Sequence, residues 1–252
     1  MGVTDVLKRS SFLMAACLAA ALISTGALVA VTPDQAQASS TKKVWVVTKA
    51  VHKNGLIQDP TNWSEVYKYN DAGLITKAGF VSYSYDKKYR FKAEKMFGER
   101  YTFKYDKKGR VSDIKNANAK YVYNSKGYLK QYKSGLSQNY KYDSKGRLTR
   151  ITGQGDQADI DNRFVYDSKN HVKSYYMSEY EMQLKIKNTY KGSRLTKQQI
   201  TDSEGNTETV IYKYKKVSVP SKAVKMVKAQ QKWVFIDNLP DSYSPSLLGI
   251  YK

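Results

Sequence analysis

The sequence predicts an all-β protein, an antiparallel meander of repeated β-hairpins that forms a curved or solenoid-like sheet, with a short C-terminal helix and strand as a cap. Three observations predict this fold. A nine-residue unit recurs through the middle of the chain, most copies place glycine at the same position, and all 22 tyrosines follow residue 38. Tyrosine suits the half-buried face of a sheet, because its ring packs while its hydroxyl stays in water.

The first 38 residues have the features of a secretory signal. Lys8 and Arg9 precede an apolar run at Phe12–Val31, and small residues precede a predicted cleavage site after Ala38. An apolar run of this length can also span a bilayer, so an uncleaved anchor is the alternative. The only cysteine, Cys17, lies inside the run, and the exported part must therefore fold without a disulfide. We expect a secreted protein, either free or associated with the cell wall, that has no transmembrane segment once the signal is removed.

Residues 39–64 are expected to cap the N-terminal edge of the repeats. Val44–Val47 is rich in β-branched and aromatic side chains and predicts an opening strand. Gly55, Asp59 and Pro60 predict a loop over residues 54–62, which leads to the first repeat.

Residues 65–215 contain the repeats. The unit reads aromatic, any residue, Tyr, Asp or Asn, two polar residues, Gly, any residue, aliphatic. Its two aromatics point to one face of a strand, the acid or amide bonds the backbone of the turn, and glycine takes a left-handed conformation, so each unit predicts one hairpin. The complete copies are Tyr67–Ile75, Phe103–Val111, Tyr121–Leu129 and Tyr140–Leu148, with turn residues Asn70, Gly73, Asp106, Gly109, Asn124, Gly127, Asp143 and Gly146.

Incomplete copies flank the complete ones. Asn170 stands where glycine is expected after Asp167, and asparagine tolerates positive φ, so Asp167 is predicted to begin the same turn. Tyr89 stands in that place after Asp86, and a different turn is expected there because a tyrosine side chain disfavours positive φ. Tyr190–Leu195 is a shortened copy.

The motif Tyr-Asp-x-x-Gly-Arg-Leu resembles the YD repeat of bacterial Rhs and wall-associated proteins and of teneurins. The strongest matches are Tyr105–Val111 and Tyr142–Leu148, and the resemblance covers roughly residues 65–215. It implies β-hairpins that coil into large sheets or shells, in regions linked with carbohydrate binding, surface attachment or enclosure of a toxin domain. About eight hairpins are too few to enclose a cargo, so the hairpin geometry is the implication that we carry over.

Residues 216–252 are expected to form a C-terminal cap, because the pattern changes after Pro220. Ser221 is predicted to cap a helix that runs through about Gln231. Trp233–Ile236 is predicted to form a closing strand that covers the last edge of the sheet.

The exported part is strongly basic. The first 38 residues contain two basic and two acidic residues, so the whole formal net charge of +21 belongs to the remainder. Such a charge attracts polyanions with a strength that depends on salt. Anionic polysaccharides and wall polymers are the available polyanions outside a cell. They are the partner class that we expect, without specific recognition of nucleic acid.

Tyrosines alternate with cations in the repeats, so aromatic rings could stack on sugar rings while the cations meet carboxylates or phosphates. A solvated strand face opposite a packed one explains the same alternation equally well, because any half-buried sheet requires it. The candidate binding residues are Tyr105, Lys107, Arg110, Tyr123, Tyr128, Lys130, Tyr132, Tyr140, Lys141, Tyr142 and Arg147.

The sequence contains no nucleophile elbow, phosphate-binding loop or zinc-binding His-Glu-x-x-His motif. His52 and His171 are the only histidines, and both are expected at the surface. Asp156, Asp159 and Asp161 could supply calcium ligands, but they lack the glycine and distal glutamate of an EF-hand loop, so an acidic hairpin tip is expected. We therefore predict a non-catalytic binding protein without metal or cofactor. A cell-surface structural or protein-interaction module and a glycan-active enzyme are the alternatives.

Overall fold

The computed structural model describes residues 40–56, 62–115, 119–134, 136–154, 159–178 and 180–239. The predicted signal, part of the loop over residues 54–62, and Asp156 lie outside the described residues. The strands are β1 Thr41–Lys53, β2 Trp63–Tyr69, β3 Ile75–Ala78, β4 Val81–Tyr85, β5 Phe91–Met96, β6 Glu99–Tyr105, β7 Val111–Lys115, β8 Ala119–Tyr123, β9 Leu129–Ser134, β10 Leu136–Tyr142, β11 Leu148–Gln154, β12 Asp159–Tyr166, β13 Val172–Met177, β14 Met182–Lys191, β15 Arg194–Thr201 and β16 Thr207–Pro220. A 3-10 turn at Ser221–Ala223 leads into the helix α1, Val224–Asp237.

The described strands form one antiparallel sheet in which each strand pairs with its neighbours in sequence, and the sheet closes into a barrel where β1 pairs with β16. The prediction of an all-β antiparallel meander is confirmed, whereas the prediction of an open, curved or solenoid-like sheet is wrong. Closure follows from strand length, because β1 and β16 have 13 and 14 residues and offer each other a long set of backbone hydrogen bonds. It also leaves no unpaired sheet edge. The sequence predicted β1 only at Val44–Val47, which is too short to indicate such a partner.

The side chains of the strands separate into an inner and an outer set, because successive residues of a strand point to opposite faces. The first aromatic of several repeats is buried, as at Tyr67, Phe103 and Tyr140, within a hydrophobic core that strands all around the barrel supply. The second aromatic packs against the same core. The lysine between the two, such as Lys104 or Lys141, is exposed. Tyrosine therefore fills the inside of the barrel and lysine covers the outside.

The C-terminal segment is a helix inside the barrel, and the predicted closing strand at Trp233–Ile236 is wrong because these residues continue α1. Val227, Gln230 and Val234 are fully buried, and their spacing of three to four residues places them on one face of the helix. A closed barrel has no free edge for a further strand, so Trp233 and Val234 pack against its inner wall. Within the described residues, the structure contains no helix with the length and hydrophobicity to cross a membrane.

Two glutamines of α1 bond the inner wall of the barrel. Gln231 accepts a hydrogen bond from the N–H of Val47 at 2.7 Å, where the register between β1 and β16 shifts. Gln230 accepts from the N–H of Ile75 at 2.9 Å and donates to the hydroxyl of Tyr85 at 2.7 Å. Because buried backbone N–H groups need a partner, these two bonds fix the helix to the wall as well as satisfying the strands.

Candidate functional site

The repeat turns share one hydrogen-bonding scheme. At Asp106, Oδ1 accepts from the N–H groups of Lys108 and Arg110, both at 2.9 Å, and Gly109 has φ +77°. Arg110 Nε donates to Asp106 Oδ2 at 2.7 Å, and the guanidinium lies 4.6 Å from the ring centre of Tyr123 in the next repeat. Burial would raise the pKa of Asp106, but the hydrogen bonds from Arg110 outweigh it and lower the pKa. The same scheme joins Asp86, Arg90 and Tyr105, and Asp143, Arg147 and Tyr166.

The turn at Tyr89 has the same geometry, so the expectation of a different turn is wrong. Tyr89 adopts φ +63°, and its N–H donates to the carbonyl of Asp86 at 3.0 Å. The carboxylate of Asp86 accepts from the N–H groups of Lys88 and Arg90 at 2.8 and 2.9 Å. These bonds compensate for the strain of a left-handed tyrosine. Asn170, at φ +65°, occupies the corresponding position after Asp167.

One further turn of this type escaped the sequence analysis. Asp202 Oδ1 accepts from the N–H groups of Glu204 and Asn206, both at 2.9 Å, and Gly205 has φ +91°. The repeat unit has an aromatic pair before the turn, whereas this turn follows Thr201. The turn residues alone would have been sufficient to predict it.

In several repeats, the second tyrosine links the repeat to the preceding one. The hydroxyls of Tyr105, Tyr123 and Tyr166 donate to backbone carbonyls of the preceding hairpin at 2.6, 2.7 and 2.7 Å. Tyr142 occupies the same position, yet its hydroxyl has no hydrogen-bond partner among the described residues. Burial is the main cause that raises the pKa of Tyr142, so this hydroxyl keeps its proton at any ordinary pH. Tyr142 therefore interrupts a ladder of tyrosine bonds.

Replacing Tyr105 with phenylalanine is expected to lower the free energy of unfolding by about 1 kcal/mol, because the carbonyl of Phe91 loses its donor. Tyr142→Phe is expected to have a smaller effect, since no bond within the described residues is lost. Urea denaturation followed by tryptophan fluorescence measures both. Equal losses for the two variants would contradict the proposed difference between the two hydroxyls.

The candidate binding residues do not lie on one surface. Tyr105, Tyr123, Tyr132, Tyr140 and Tyr142 pack against the barrel core, whereas Lys107, Lys130 and Lys141 are exposed. Arg110 is engaged by a turn aspartate. Tyr128, Tyr142 and Arg147 are brought together at the rim of the barrel. Lys130 and Lys141 thus lie on the other face of the sheet from the packed tyrosine rings, whereas arginines such as Arg110 meet the rings at the turns.

The outer surface of the barrel carries exposed lysines, which we call the lysine wall. Lys68 is directly opposite Lys77 on β2 and β3, and Lys120 is directly opposite Lys133 on β8 and β9. All four side chains are exposed. Lysines on outward positions are compatible with water or with an anionic surface. Several turn and strand aspartates are paired with arginine, so they do not neutralise these lysines.

A cavity of about 210 Å³ lies between α1 and the turns at 143–147 and 167–171, and we call it the rim cavity. Its walls contain the rings of Tyr128, Tyr142 and Tyr166. Lys169, on the second of these turns, and Lys232, on α1, also line it. The cavity therefore combines aromatic surface with two ammonium groups.

The repeat pattern changes on both sides of the rim cavity. Arginine follows the turn glycine at Gly146, but Tyr128 and His171 stand in this place at the turns before and after it. Tyr128 stacks on Tyr142 with 4.9 Å between ring centroids, where other copies place a guanidinium over the ring. Gly146 permits this stack, since a Cβ there would lie 1.9 Å from the Tyr128 hydroxyl oxygen.

His171 is half-buried in the wall of the rim cavity. Its Nδ1 lies 3.1 Å from the hydroxyl of Tyr190, which donates to Asp167 Oδ2 at 2.5 Å. Burial lowers the pKa of His171, with Lys169 and Lys232 adding to the shift and Asp167 opposing it. The imidazole is therefore neutral at pH 7. The positive charges of the cavity come from Lys169, Lys232 and Arg147, and Arg147 is paired with Asp143.

His52 is buried, with 2 % of its surface exposed, and the expectation of a surface histidine is wrong for it. Nδ1 lies 2.6 Å from Glu208 Oε1, and Nε2 lies 2.8 Å from Asn238 Oδ1. Asn238 Nδ2 donates to the Tyr67 hydroxyl and to the Val234 carbonyl, which leaves Oδ1 as an acceptor. Both ring nitrogens therefore lie within hydrogen-bond distance of side-chain oxygens. The network joins β1, β2 and β16 to the end of α1.

Glu65, Glu94 and Asp237 lie close enough to Tyr83 for their charges to raise the pKa of its hydroxyl further, after burial as the main cause. Burial raises the pKa of Glu94 to about 7, and burial together with repulsion from Glu65 raises the pKa of Asp237 to about 8. Burial also raises the pKa of Glu65, although the charge of His52 opposes it. None of the three lines the rim cavity. An enzyme that used them as acid and base would need its substrate elsewhere in the barrel.

Asp161 is engaged in ion pairs rather than aimed at a free site. It accepts from Arg150 Nε at 2.5 Å and from Arg163 Nη2 at 2.6 Å, and these hydrogen bonds hold its pKa well below the usual range. Asp159 is exposed. In the part of the chain that the structure describes, no three His, Cys, Asp or Glu side chains are arranged to hold a metal ion.

No family model matches the sequence, and no curated protein matches it. Among solved structures, the chain is similar to a Photorhabdus luminescens Tc holotoxin pore, with 15% identity and a TM-score of 0.32 over 59% of this chain and 9% of that chain. It is also similar to porin-like proteins from Bacteroides vulgatus (12% identity, TM-score 0.44, 67% of this chain and 98% of that chain) and Bacteroides uniformis (12%, 0.33, 67% and 96%). The chain thus spans less than a tenth of the toxin chain.

Proposed function

We propose that the protein is exported and binds an anionic polymer of the cell envelope, such as an acidic polysaccharide or wall polymer, through its lysine wall. The tyrosines of the barrel interior have no part in this contact. Support comes from the charge of +21 together with the segregation of lysine to outward positions. The turn motif, which resembles the YD repeat, supplies the hairpins on which the lysines are displayed.

The observation that carries the proposal is the direct opposition of lysines on neighbouring strands. In an antiparallel pair, directly opposite residues have side chains on the same face, so Lys68 and Lys77 repel each other, as do Lys120 and Lys133. Like charges in this position destabilise the sheet, and no ion pair within the described residues involves any of the four. A bound polyanion would neutralise them and release its counterions, which makes binding sensitive to salt.

Replacing all four of these lysines with glutamine is expected to lower the sodium chloride concentration at which the mature protein elutes from heparin resin, because four cations leave one surface. Retention on isolated cell walls is expected to fall in parallel. The four substitutions remove the like-charge repulsion within both lysine pairs. The free energy of unfolding is therefore expected to rise or stay constant.

The matched control for one pair is Lys225→Gln with Lys228→Gln on α1, which removes two exposed charges outside the lysine wall. Lys120→Gln with Lys133→Gln is expected to shift elution clearly more than this control. Identical shifts would show that only net charge matters. Retention that does not change with salt would overturn the electrostatic mechanism.

A protein-interaction module is the second candidate function, and one observation favours it. Phe80 and Phe97 are exposed at 56% and 65%, and their rings stack at 4.6 Å between centroids. They lie in the turns between β3 and β4 and between β5 and β6, at the end of the barrel away from the repeat turns. Retention on cell walls that resists salt and is lost in Phe80→Ser with Phe97→Ser would support this function over polymer binding.

A further inference from the structure

We propose that the rim cavity binds a small aromatic carboxylate, a molecule with one ring and one negative charge. This site goes beyond polymer binding, because it lies at the turn rim and uses none of the opposed lysines of the lysine wall. Its ligand class follows from the size of the cavity, its rings, its charges and its hydrogen-bond donors.

The size and walls of the cavity suit a single ring. Its volume of about 210 Å³ corresponds to about seven water molecules at ~30 Å³ each. Tyr128, Tyr142 and Tyr166 present aromatic rings to this space, and Phe235 of α1 adds a fourth. Aromatic rings attract one another in offset-stacked or edge-to-face arrangements, so a flat ring gains more from these walls than a flexible chain does.

The charge of the cavity favours an anion. Lys169 and Lys232 both line it, and both contribute to the lowered pKa of His171, which places their charges near this wall. The nearby acids are already engaged: Asp143 pairs with Arg147, and Asp167 accepts from Tyr190 and Asn188. Within the described residues Lys232 has no acidic partner, and Lys169 lies 4.0 Å from the ring centre of Tyr190. The carboxylate of a bound ligand would therefore lie near the ammonium groups of both Lys169 and Lys232.

The hydrogen-bonding groups favour an aromatic acid over an acidic sugar. The hydroxyl of Tyr142 has no partner in the described part of the chain, and the two ammonium groups add further donors. Asn170 Oδ1, which could serve as an acceptor, already receives a bond from Arg147 at 3.1 Å. A sugar would bring several hydroxyl protons to a wall with few acceptors, and unpaired polar groups weaken binding. A carboxylate brings acceptors only.

The repeat pattern supports a special role for this place. Tyr128 and His171 replace the arginine of other copies, and the hydroxyl of Tyr142 leaves the tyrosine ladder, all at residues that line one cavity. Arginine stands in this place at Arg90, Arg110 and Arg147, and there it pairs with the turn aspartate. Leu74 is a further exception, but it lies outside the cavity. Local departures from a pattern that specifies the fold are expected where a site needs different residues.

Isothermal titration of the full mature protein with benzoate, benzamide and glucuronate tests the proposal. Benzoate is expected to bind with one site per chain, and benzamide, which keeps the ring but lacks the charge, is expected to bind at least tenfold more weakly. Glucuronate, which keeps the charge but has a sugar ring, is expected to bind more weakly than benzoate. Lys232→Gln is expected to weaken benzoate about tenfold and Tyr142→Phe about threefold, the range for a lost charged and a lost neutral hydrogen bond.

Matched controls are Lys228→Gln, one turn earlier on α1, and Tyr105→Phe, which removes a hydroxyl of the same ladder outside the cavity. Both are expected to leave benzoate affinity unchanged. Equal affinity for benzoate and benzamide would overturn the role of the lysines, and tighter binding of glucuronate would identify a sugar site instead. Absence of saturable binding by all three probes would overturn the site itself. Retention on heparin resin is independent of these outcomes, so the two proposals fail separately.

Discussion

Replacing His52 with alanine is expected to lower the free energy of unfolding by about 3 kcal/mol, measured by urea denaturation at pH 7. The substitution leaves Glu208, which is 4 % exposed, as a buried carboxylate that loses its 2.6 Å contact with the imidazole. It also removes the partner of Asn238 Oδ1 and the stacked contact of His52 with Trp63, at 3.6 Å between ring centroids. Glu208 then keeps only the N–H of Leu56, at 3.3 Å from Oε2, and a buried carboxylate that loses its main partner is among the few single changes that cost this much.

A second variant separates the charge from the packing. His52→Leu combined with Glu208→Leu removes both members of the pair, and is expected to be more stable than His52→Ala, because apolar side chains can replace a buried ion pair at little cost. His171→Ala is the matched control, since His171 is only half-buried and its lowered pKa keeps it neutral. It is expected to lose less than half as much. A double variant less stable than His52→Ala would show that packing against Trp63, not charge burial, dominates.

The same network explains why α1 holds its position in the barrel. Asn238 follows the last residue of α1 and bonds both His52 and Tyr67, while Gln230 and Gln231 bond the wall two turns earlier. Disrupting the network at His52 is therefore expected to loosen the end of α1 as well as the barrel. In a variant with Trp45 and Trp63 replaced by phenylalanine, the fluorescence of Trp233 reports this loosening alongside global unfolding.

The hairpins could be predicted from the sequence because their causes are local. Asp106, Gly109 and Tyr105 lie within five residues of one another, and each contributes a bond or a conformation that the turn requires. Closure of the barrel could not be predicted in this way. It depends on the register that pairs Thr41 with Pro220, and neither β1 nor β16 carries the turn sequence that marks the repeats.

The separation of the two faces was predicted only in part. Alternation of tyrosine and lysine indicates that neighbours lie on opposite faces, but the candidate binding set combined buried rings such as Tyr140 with exposed cations such as Lys141. Closure of the barrel determines which of these side chains an external ligand can reach, because it encloses the tyrosine face and leaves the lysine face outside. The rim cavity had a signal in the sequence, because Tyr128 and His171 depart from the repeat at the arginine position.

The buried polar groups had no such signal. His52 meets Glu208 and Asn238 across separations of 156 and 186 residues, and no local pattern links them. The expected closing strand at Trp233–Ile236 failed for a related reason: its apolar residues fit a strand, and only the absence of a free edge in the closed barrel makes a helix the better solution.

Replacing Asp237 with asparagine is expected to raise the free energy of unfolding by several kcal/mol at pH 8 and to change it little at pH 4. Burial, with repulsion from Glu65, raises the pKa of Asp237 from 3.8 to about 8 in the folded protein. Below pH 4 the carboxyl is protonated in both the folded and the unfolded chain. Between pH 4 and pH 8 the unfolded chain releases the proton while the folded chain keeps it, so stability falls as pH rises through this range.

Denaturation curves from pH 4 to pH 9 measure the effect, and Glu94→Gln provides a second case. Its window is narrower, from 4.5 to about 7, because burial alone raises the pKa of Glu94. Asp113→Asn is the control on the outer surface, where Lys104 pairs with Asp113 at 2.8 Å. A gain that is equal at pH 4 and pH 8 would rule out titration of Asp237 as its cause. A gain confined to high pH would show that the ionised carboxyl of Asp237 destabilises the folded barrel. Packing alone would then not explain why an aspartate occupies this position.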